Sequence, residues 1–515
     1  MKILFVMDSP EYLRFYDTVI EELAARGHAV ALGVISRREK KPVGLEGLHA
    51  YADRAAILGV VPPHEGRWGA IAFGVRATMD FVRFLHPRFA NAHALRARIK
   101  RKVLPRAYYW LDAIPRLGPR TLRAVQRMLM AMEQAIPLHQ PIVEFLRAQS
   151  PDVLMVSPLV AAASEQVDWI KAARACGIRS AVCIASWDNL TNKGLLRIEP
   201  DRVIVWNEAQ KREAVEYHYI PEHKVSTTGA QLFDRWFGRT VTRQRDEFCR
   251  RAGLPDARPF LLFTGSSMFI SESHAEVAFV RRWIQAIRAS SHPALRDSNI
   301  LIRPHPYNAR AWESNPVADL AGVALYPRQG YNAVDPENRA DFFDSLSHAA
   351  AVVGINTSAM IEAAIVGTPV FSFLAPEFAG TQAGTIHFHH LLPENGGFVR
   401  IASTLEQHVA QLGERLADRS AAQEELRRFV AAFVRPHGID RPATPIFVDV
   451  LEQLAASPAP APRPAPAVAA ALRPFVLAAA APVPIVNAAR QLPSKVRKRA
   501  RDWARLAVKR RPASS

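Results

Sequence analysis

The chain has 515 residues, 49% of them hydrophobic, which is too long for one ordinary domain and ample for two real cores with extra segments. Only three cysteines occur, Cys176, Cys183 and Cys249, with no paired spacing, which speaks against a disulfide framework or a cysteine zinc site and for a reducing compartment. The net charge of +18 sits in two segments: residues 83–127 carry twelve Lys/Arg against Asp112 alone, residues 457–515 carry twelve against Asp502 alone, and the rest is mildly acidic. Two basic patches fit an anionic surface better than a nucleic-acid groove spread over a fold, so no nucleic-acid partner is expected.

The opening stretch MKILFVMDSPEY meets Asp8 too soon for a signal peptide and reads as a buried strand over 2–8. An amphipathic helix over 11–26, stopped by Gly27, and a strand over 29–34 complete a βαβ start. It has no G-x-G-x-x-G, so a nicotinamide or flavin site is not expected. From 67 to 147 the β/α rhythm stops, and helical periods interleave Arg and Lys with Phe, Leu, Ile, Trp110, Tyr108 and Tyr109. This is either an inserted helical subdomain resting on a membrane or a set of ordinary helices with solvated Arg faces.

Strands over 151–156, 180–185, 202–206 and 225–229, with helices over 166–175 and 207–217, resume the rhythm. After a linker and a helix near 244–252, a second series begins with strands over 259–264, 299–302, 323–326 and 351–354. Gly367 and Pro369 break a short helix before a further buried strand, and helices over 405–416, 421–433 and 444–454 finish the series. After 456, SPAPAPRPAPAVAAA reads as a semi-rigid linker. It leads to a basic tail in which 490–511 set Val496, Trp503, Leu506 and Val508 among Arg and Lys, as in an interfacial helix on anionic lipid or a disordered basic tail. Arg473 and three prolines interrupt the apolar part before it, so no transmembrane helix is expected.

The reading is therefore α/β: two Rossmann-like domains facing a cleft, with a helical insertion and a basic C-terminal tail. The N-terminal domain spans 1–235 with its insertion at about 67–147, the C-terminal domain spans 236–456, and the linker and tail span 457–515.

Four loops leave the carboxyl ends of predicted strands, the edge where doubly wound sheets bind ligands. In TGSS, Gly265 permits close backbone approach, and Ser266 and Ser267 offer hydroxyls to phosphate oxygens. In RPHPYN, Arg303 can pair bidentately with a diphosphate, and His305, between two prolines, can donate to it or protonate the leaving phosphate. In GINTSAMIE, Asn356, Thr357 and Ser358 are good helix caps, and Glu362 follows Ser358 by one turn. A capping box would put the acid where Ile361 stands, so Glu362 is free for a second role. In SWDNLTNKG, Asp188 is the best-placed carboxylate for a general base, with Trp187 and Asn189 as acceptor contacts; the alternative is an Asx-turn. There is no Asp-x-Asp, H-E-x-x-H, P-loop or G-x-S-x-G.

The Ser/Thr-rich turn of GINTS, the Glu one turn into its helix and the Gly-Thr-Pro exit resemble the donor-binding element of GT-B glycosyltransferases. RPHPYN resembles the His-Pro loop of polysaccharide and polyol-phosphate transferases. The nearest families in pattern are bacterial surface-polysaccharide transferases and the CDP-glycerol glycerophosphotransferase group. The non-hydrolysing UDP-sugar 2-epimerases share the architecture. The resemblance covers roughly 151–454 and implies that the turn and helix start hold a nucleotide diphosphate while Glu362 binds ribose hydroxyls. It implies a metal-independent glycosyltransferase with a nucleotide-activated sugar as substrate, a saccharide or lipid-linked acceptor, and no cofactor. Such an enzyme would be cytoplasmic and peripheral on the inner membrane face, touching anionic lipid through 83–127 and 490–511. A polyol-phosphate transferase, an epimerase-like enzyme and a non-catalytic polysaccharide- or membrane-binding scaffold are the alternatives.

Overall fold

The computed structural model of the chain describes residues 1–35, 46–328, 336–417, 423–463 and 467–480. Two all-parallel sheets carry it. The first holds seven strands, β1 (Lys2–Met7), β2 (Ala29–Val34), β3 (Ala56–Val60), β4 (Val153–Ser157), β5 (Arg179–Cys183), β6 (Arg202–Val205) and β7 (Val225–Thr227), in the order β3-β2-β1-β4-β5-β6-β7. The second holds β8 (Phe260–Thr264), β9 (Asn299–Arg303), β10 (Val323–Leu325), β11 (Ala351–Gly354), β12 (Val370–Phe373) and β13 (Arg400–Ala402), in the order β10-β9-β8-β11-β12-β13. This is the expected two-domain α/β arrangement.

Apolar runs make these strands because both faces of each sheet are covered. In β1, Ile3, Phe5 and Met7 enter one core and Leu4 and Val6 the opposite one. In β8, Phe260 and Leu262 face one layer while Leu261 and Phe263 face the other. The edge strand β3 (AILGV) was not expected; it carries an apolar run like the others but lies half exposed at the sheet edge. The helix expected over 11–26 is a 3-10 turn (Pro10–Phe15) followed by α1 (Asp17–Ala25). Tyr16 breaks it, because its hydroxyl is drawn into the core against Ser157 Oγ (2.6 Å) and Cys183 O (3.0 Å).

The insertion comprises α2 (Gly66–Val82), α3 (His93–Lys102) and α4 (Pro119–Ala135) around a core that includes Ile71, Phe81, Leu95 and Leu129. Buried Arg76 clamps it to the first domain, 2.8 Å from both Glu133 and Asp168. Arg83, one of the twelve basic residues of 83–127, is likewise internal: it donates to the carbonyls of Leu190 (2.8 Å), Lys193 (3.0 Å) and Gly194 (2.8 Å).

In the second half, α5 (Ser273–Arg288), α6 (Pro336–His348) and α7 (Ala359–Ile365) follow β8, β10 and β11. Helix α8 (Ala443–Ala456) returns to the first domain, burying Phe447, Val448 and Leu451 in the core that holds Tyr16 and Ile20. Asp234 caps it, accepting from the Ala443 (3.0 Å) and Thr444 (2.6 Å) amides. The Pro/Ala segment does not lead away from the fold. Arg179 Nε holds Ser457 O at 3.0 Å, and the Arg463 amide donates to Arg174 O at 3.1 Å. Helix α9 (Arg473–Ala480) then lies on the insertion with Val476 fully buried in its core. Residues 490–511 lie outside the described residues.

Candidate functional site

The carboxyl ends of the two sheets face one another across a cleft of about 440 Å³. Its walls include Ser186, Trp187 and Trp206 from the first domain and His305, Ser358 and Glu362 from the second. A side recess of about 160 Å³ is bounded by Thr264, Gly265, Arg303, His305, Thr357 and Glu362. All four loops singled out in the sequence therefore contribute to the cleft or its recess.

Within that group the roles diverge. A Cβ on Gly265 would fall 2.7 Å from the His305 amide nitrogen, so the glycine lets TGSS close against the His-Pro loop. Ser266 is fully buried and its amide donates to Glu276 Oε1 at 2.7 Å; Ser267 is half-buried, its carbonyl taken by the Ile270 amide (2.8 Å). Neither serine hydroxyl borders the recess. Arg303 borders it, but its guanidinium lies among Tyr326, Phe342 and Ser345 Oγ (2.9 Å), and burial lowers it to about 10, still cationic. Asn356 is buried, its amide held by Thr381 O (3.0 Å) and Thr385 Oγ1 (3.1 Å) beside His387. Thr357 is half-buried and Ser358 exposed at the start of α7, with the Ser358 hydroxyl making no cap bond.

Glu362 is half-buried in the wall of both cavities and its carboxylate has no hydrogen-bond partner among the described residues. Burial pushes its carboxyl up to about 7, with Arg14 pulling the other way. His305 accepts from the Tyr307 amide through Nδ1 (3.1 Å), which leaves Nε2 to carry the proton. Burial, aided by Arg14, lowers it to about 4, so at neutral pH it is an uncharged donor and not a proton source.

Asp188 borders neither cavity. It is half-buried one residue beyond Trp187, with Asn189 (3.0 Å) and Asn192 (3.0 Å) donating to its two oxygens. Burial alone would raise it, but Lys193, His387 and bonds from Ser186 and Asn192 outweigh that and hold it near 2. Asn189 is itself fully buried and serves the carboxylate. Trp187 closes the cleft floor, edge-on to His387 of the other domain at 4.8 Å.

Several groups were not foreseen. Arg14 reaches the donor loops from the first domain, and Arg235 and Arg339 flank the cleft with Asp17 between them at 3.5 and 3.3 Å. Tyr307 closes the domains at one point, its hydroxyl donating to Glu11 Oε2 at 2.7 Å. Glu276 joins TGSS to the His-Pro loop through Ser266, Trp312 Nε1 (3.3 Å) and Asn308 Nδ2 (3.4 Å), and burial pushes it up to about 7. The one sequence signal for it is an acid on the apolar face of α5. Among the described residues, no three His, Cys, Asp or Glu side chains gather as a metal would require, and no helix is long and apolar enough to cross a membrane.

No family model matches the sequence, and no curated protein does. Solved structures match in fold. The UDP-GlcNAc 2-epimerase of Methanocaldococcus jannaschii is 10% identical, with a TM-score of 0.50 over 88% of this chain and 100% of its own. A glycosyltransferase of Rickettsia africae ESF-5 is 11% identical, with a TM-score of 0.50 over 89% of this chain and 99% of its own. At these identities the likeness concerns the fold alone, which with the two facing parallel sheets is of the GT-B type.

Proposed function

We propose that the chain is a metal-independent glycosyltransferase that takes a nucleotide-activated sugar and serves bacterial surface-polysaccharide or glycolipid synthesis. The observation that carries this reading is Glu362, an unpartnered carboxylate in the wall of a cleft between two Rossmann-like domains, with Arg14 reaching across to it. In this reading the ribose hydroxyls donate to Glu362, and the diphosphate lies between Arg14, the Ser358 hydroxyl and the neutral Nε2–H of His305. Transfer breaks the anomeric C–O bond to the diphosphate and forms one to the acceptor oxygen. The acceptor proton becomes acidic only as that bond forms, so a carboxylate as weakly basic as Asp188 can accept it late. The fold neighbours named above, one a glycosyltransferase and one an epimerase of a UDP-sugar, support a nucleotide sugar as the ligand class.

The membrane reading is supported by exposure. Arg101, Lys102, Arg106, Arg120 and Arg127 are exposed, Trp110 is 63% exposed, and Asp112, the sole acid of 83–127, is paired with Arg96 (2.9 Å) and Lys100 (2.5 Å). We place the enzyme at the inner face of the cytoplasmic membrane. Titration with UDP-, GDP- and CDP-linked sugars, followed by transfer assays with lipid-linked and saccharide acceptors, tests the reading. Binding of a CDP-polyol alone would assign polyol-phosphate transfer. Conversion of UDP-GlcNAc without acceptor would assign epimerisation, and no binding at all would leave a scaffold.

A further inference from the structure

Beside Asp188 the two domains and the insertion bring together groups that the donor site does not use. Arg98, on the inner side of α3, is half-buried with its guanidinium 4.2 Å from the Phe269 ring of the second domain, and Nη1 donates to Asn192 Oδ1 at 3.3 Å. Lys193 lies next to the Tyr12 phenol, near enough to Asp188 and Arg98 to feel both charges. Neither cation makes an ion pair among the described residues, and Arg98 Nε and Nη2 have no acceptor there. Asp188 takes one amide on each oxygen, from Asn189 and Asn192, and bonds directly to neither cation among the described residues, so its remaining lone pairs stay open to a hydroxyl.

The backbone here is rigid. Arg83 pins the carbonyls of Leu190, Lys193 and Gly194, and the Gly194 amide donates to Val160 O at 2.7 Å. A Cβ on Gly194 would fall 2.6 Å from Asp80 Oδ1, so a larger residue there would have to displace the buried Asp80–Arg197 pair. Asn192 ties Arg98 to Asp188 through its two amide atoms, which fixes the cation relative to the carboxylate.

We propose that Arg98, Lys193 and Tyr12 form an anion subsite that holds a phosphate or carboxylate of the acceptor while its hydroxyl meets Asp188. This rests on the transferase reading and narrows the acceptor to an anionic one, with a phosphorylated saccharide or lipid-linked phosphate as the fitting chemistry. Burial depresses Arg98, and a bound anion would offset that cost. Arg98 also links acceptor to surface, because Arg101 and Lys102 on the same helix are exposed.

The test is calorimetric titration of the full chain with pyrophosphate in saturating UDP, which blocks the donor recess. Wild type should bind, more weakly as salt rises, and Arg98→Gln/Lys193→Gln should weaken that binding about ten-fold or more, as expected for lost charge-assisted hydrogen bonds. UDP affinity should stay within about two-fold of wild type, the double variant should melt as wild type does, and the control Arg101→Gln/Lys102→Gln should leave pyrophosphate binding unchanged. Farnesyl diphosphate binding more tightly than pyrophosphate would assign the subsite to a lipid-linked carrier, and equal binding to a soluble phosphate. If UDP binds and pyrophosphate does not, or binds the double variant equally well, the subsite is refuted. If UDP fails to bind, the donor reading falls, and the subsite is then judged on the pyrophosphate difference between wild type and double variant.

Discussion

Replacing Glu362 by Gln separates ligand binding from fold maintenance. The carboxyl is raised by burial to about 7, so in the free protein near neutrality about half of it is ionised. Ribose hydroxyls donate to the ionised form, so nucleotide-sugar affinity should be full above pH 7 and fall about ten-fold per unit below it. Gln keeps the shape and one acceptor but loses the charge. Its affinity at pH 8 should drop by about 1.5–3 kcal/mol, the worth of charge-assisted hydrogen bonds, and its pH dependence should vanish. Stability moves in the opposite sense. A carboxyl that ordinarily titrates at 4.5 and is held near 7 in the folded state binds its proton more tightly when folded. Wild-type stability is therefore highest below pH 4.5 on this group's account and declines as pH rises toward 7. Gln is never ionised, so the variant should melt no lower than wild type at pH 8. The assay is calorimetric titration with a UDP-sugar from pH 6 to 8, beside thermal melts. A wild-type affinity that is flat across that range, or a Gln variant that binds as tightly at pH 8, would refute the ribose assignment.

Asp188→Asn should keep donor affinity and lose roughly 10²–10⁴-fold in turnover in a coupled transfer assay; near-normal turnover would make Asp188 a turn residue only. His305→Ala should cost about 10²–10³-fold in turnover through loss of one hydrogen-bond donor to the leaving phosphate. Because wild-type His305 titrates near 4, no limb of the pH–rate profile between 5 and 8 should disappear with it. A chain ending at Ala480 should lose much of its binding to anionic vesicles, about 1 kcal/mol per basic residue removed from the surface, while still binding nucleotide. A chain ending at Ala456 should melt lower than one ending at Ala480, because it strips Val476 from the insertion core; equal melting temperatures would count against that packing.

Much of the fold was legible because parallel strands buried on both faces are written as continuous apolar runs. Ala351–Gly354 and Phe260–Thr264 need no partner to be recognised. What escaped was set by contacts distant in sequence. Tyr16 sits in an amphipathic stretch that reads as unbroken helix, and only Ser157 and Cys183, more than a hundred residues away, draw it inward. The Pro/Ala composition of 457–463 describes a stiff extended chain, but its docking depends on Arg179 and on Arg174 O, neither visible from the segment.

The candidate site shows the same division more sharply. Loops at strand ends could be located, since strand order is not needed to know that a Gly-, Ser- or His-bearing turn follows a buried run. Which atom of each loop faces the cavity could not. Ser266, Arg303 and Asn356 are the residue types that bind phosphate, yet each is engaged elsewhere: by Glu276, by Ser345 with two aromatic rings, and by the 381–387 loop. They build the walls that leave Glu362, Ser358 and His305 Nε2 open. Arg14 completes the cleft from a turn, and Arg98 comes in beside Asp188 from an inserted helix, where a single basic residue among many carries no periodic or spacing signal. Their selection depends on domain closure, set by contacts such as Tyr307–Glu11 and Trp187–His387. Tyr307→Phe, which removes the hydroxyl bond to Glu11 and keeps the ring beside His305, should therefore weaken donor binding in the same calorimetric titration; unchanged affinity would count against closure at this point.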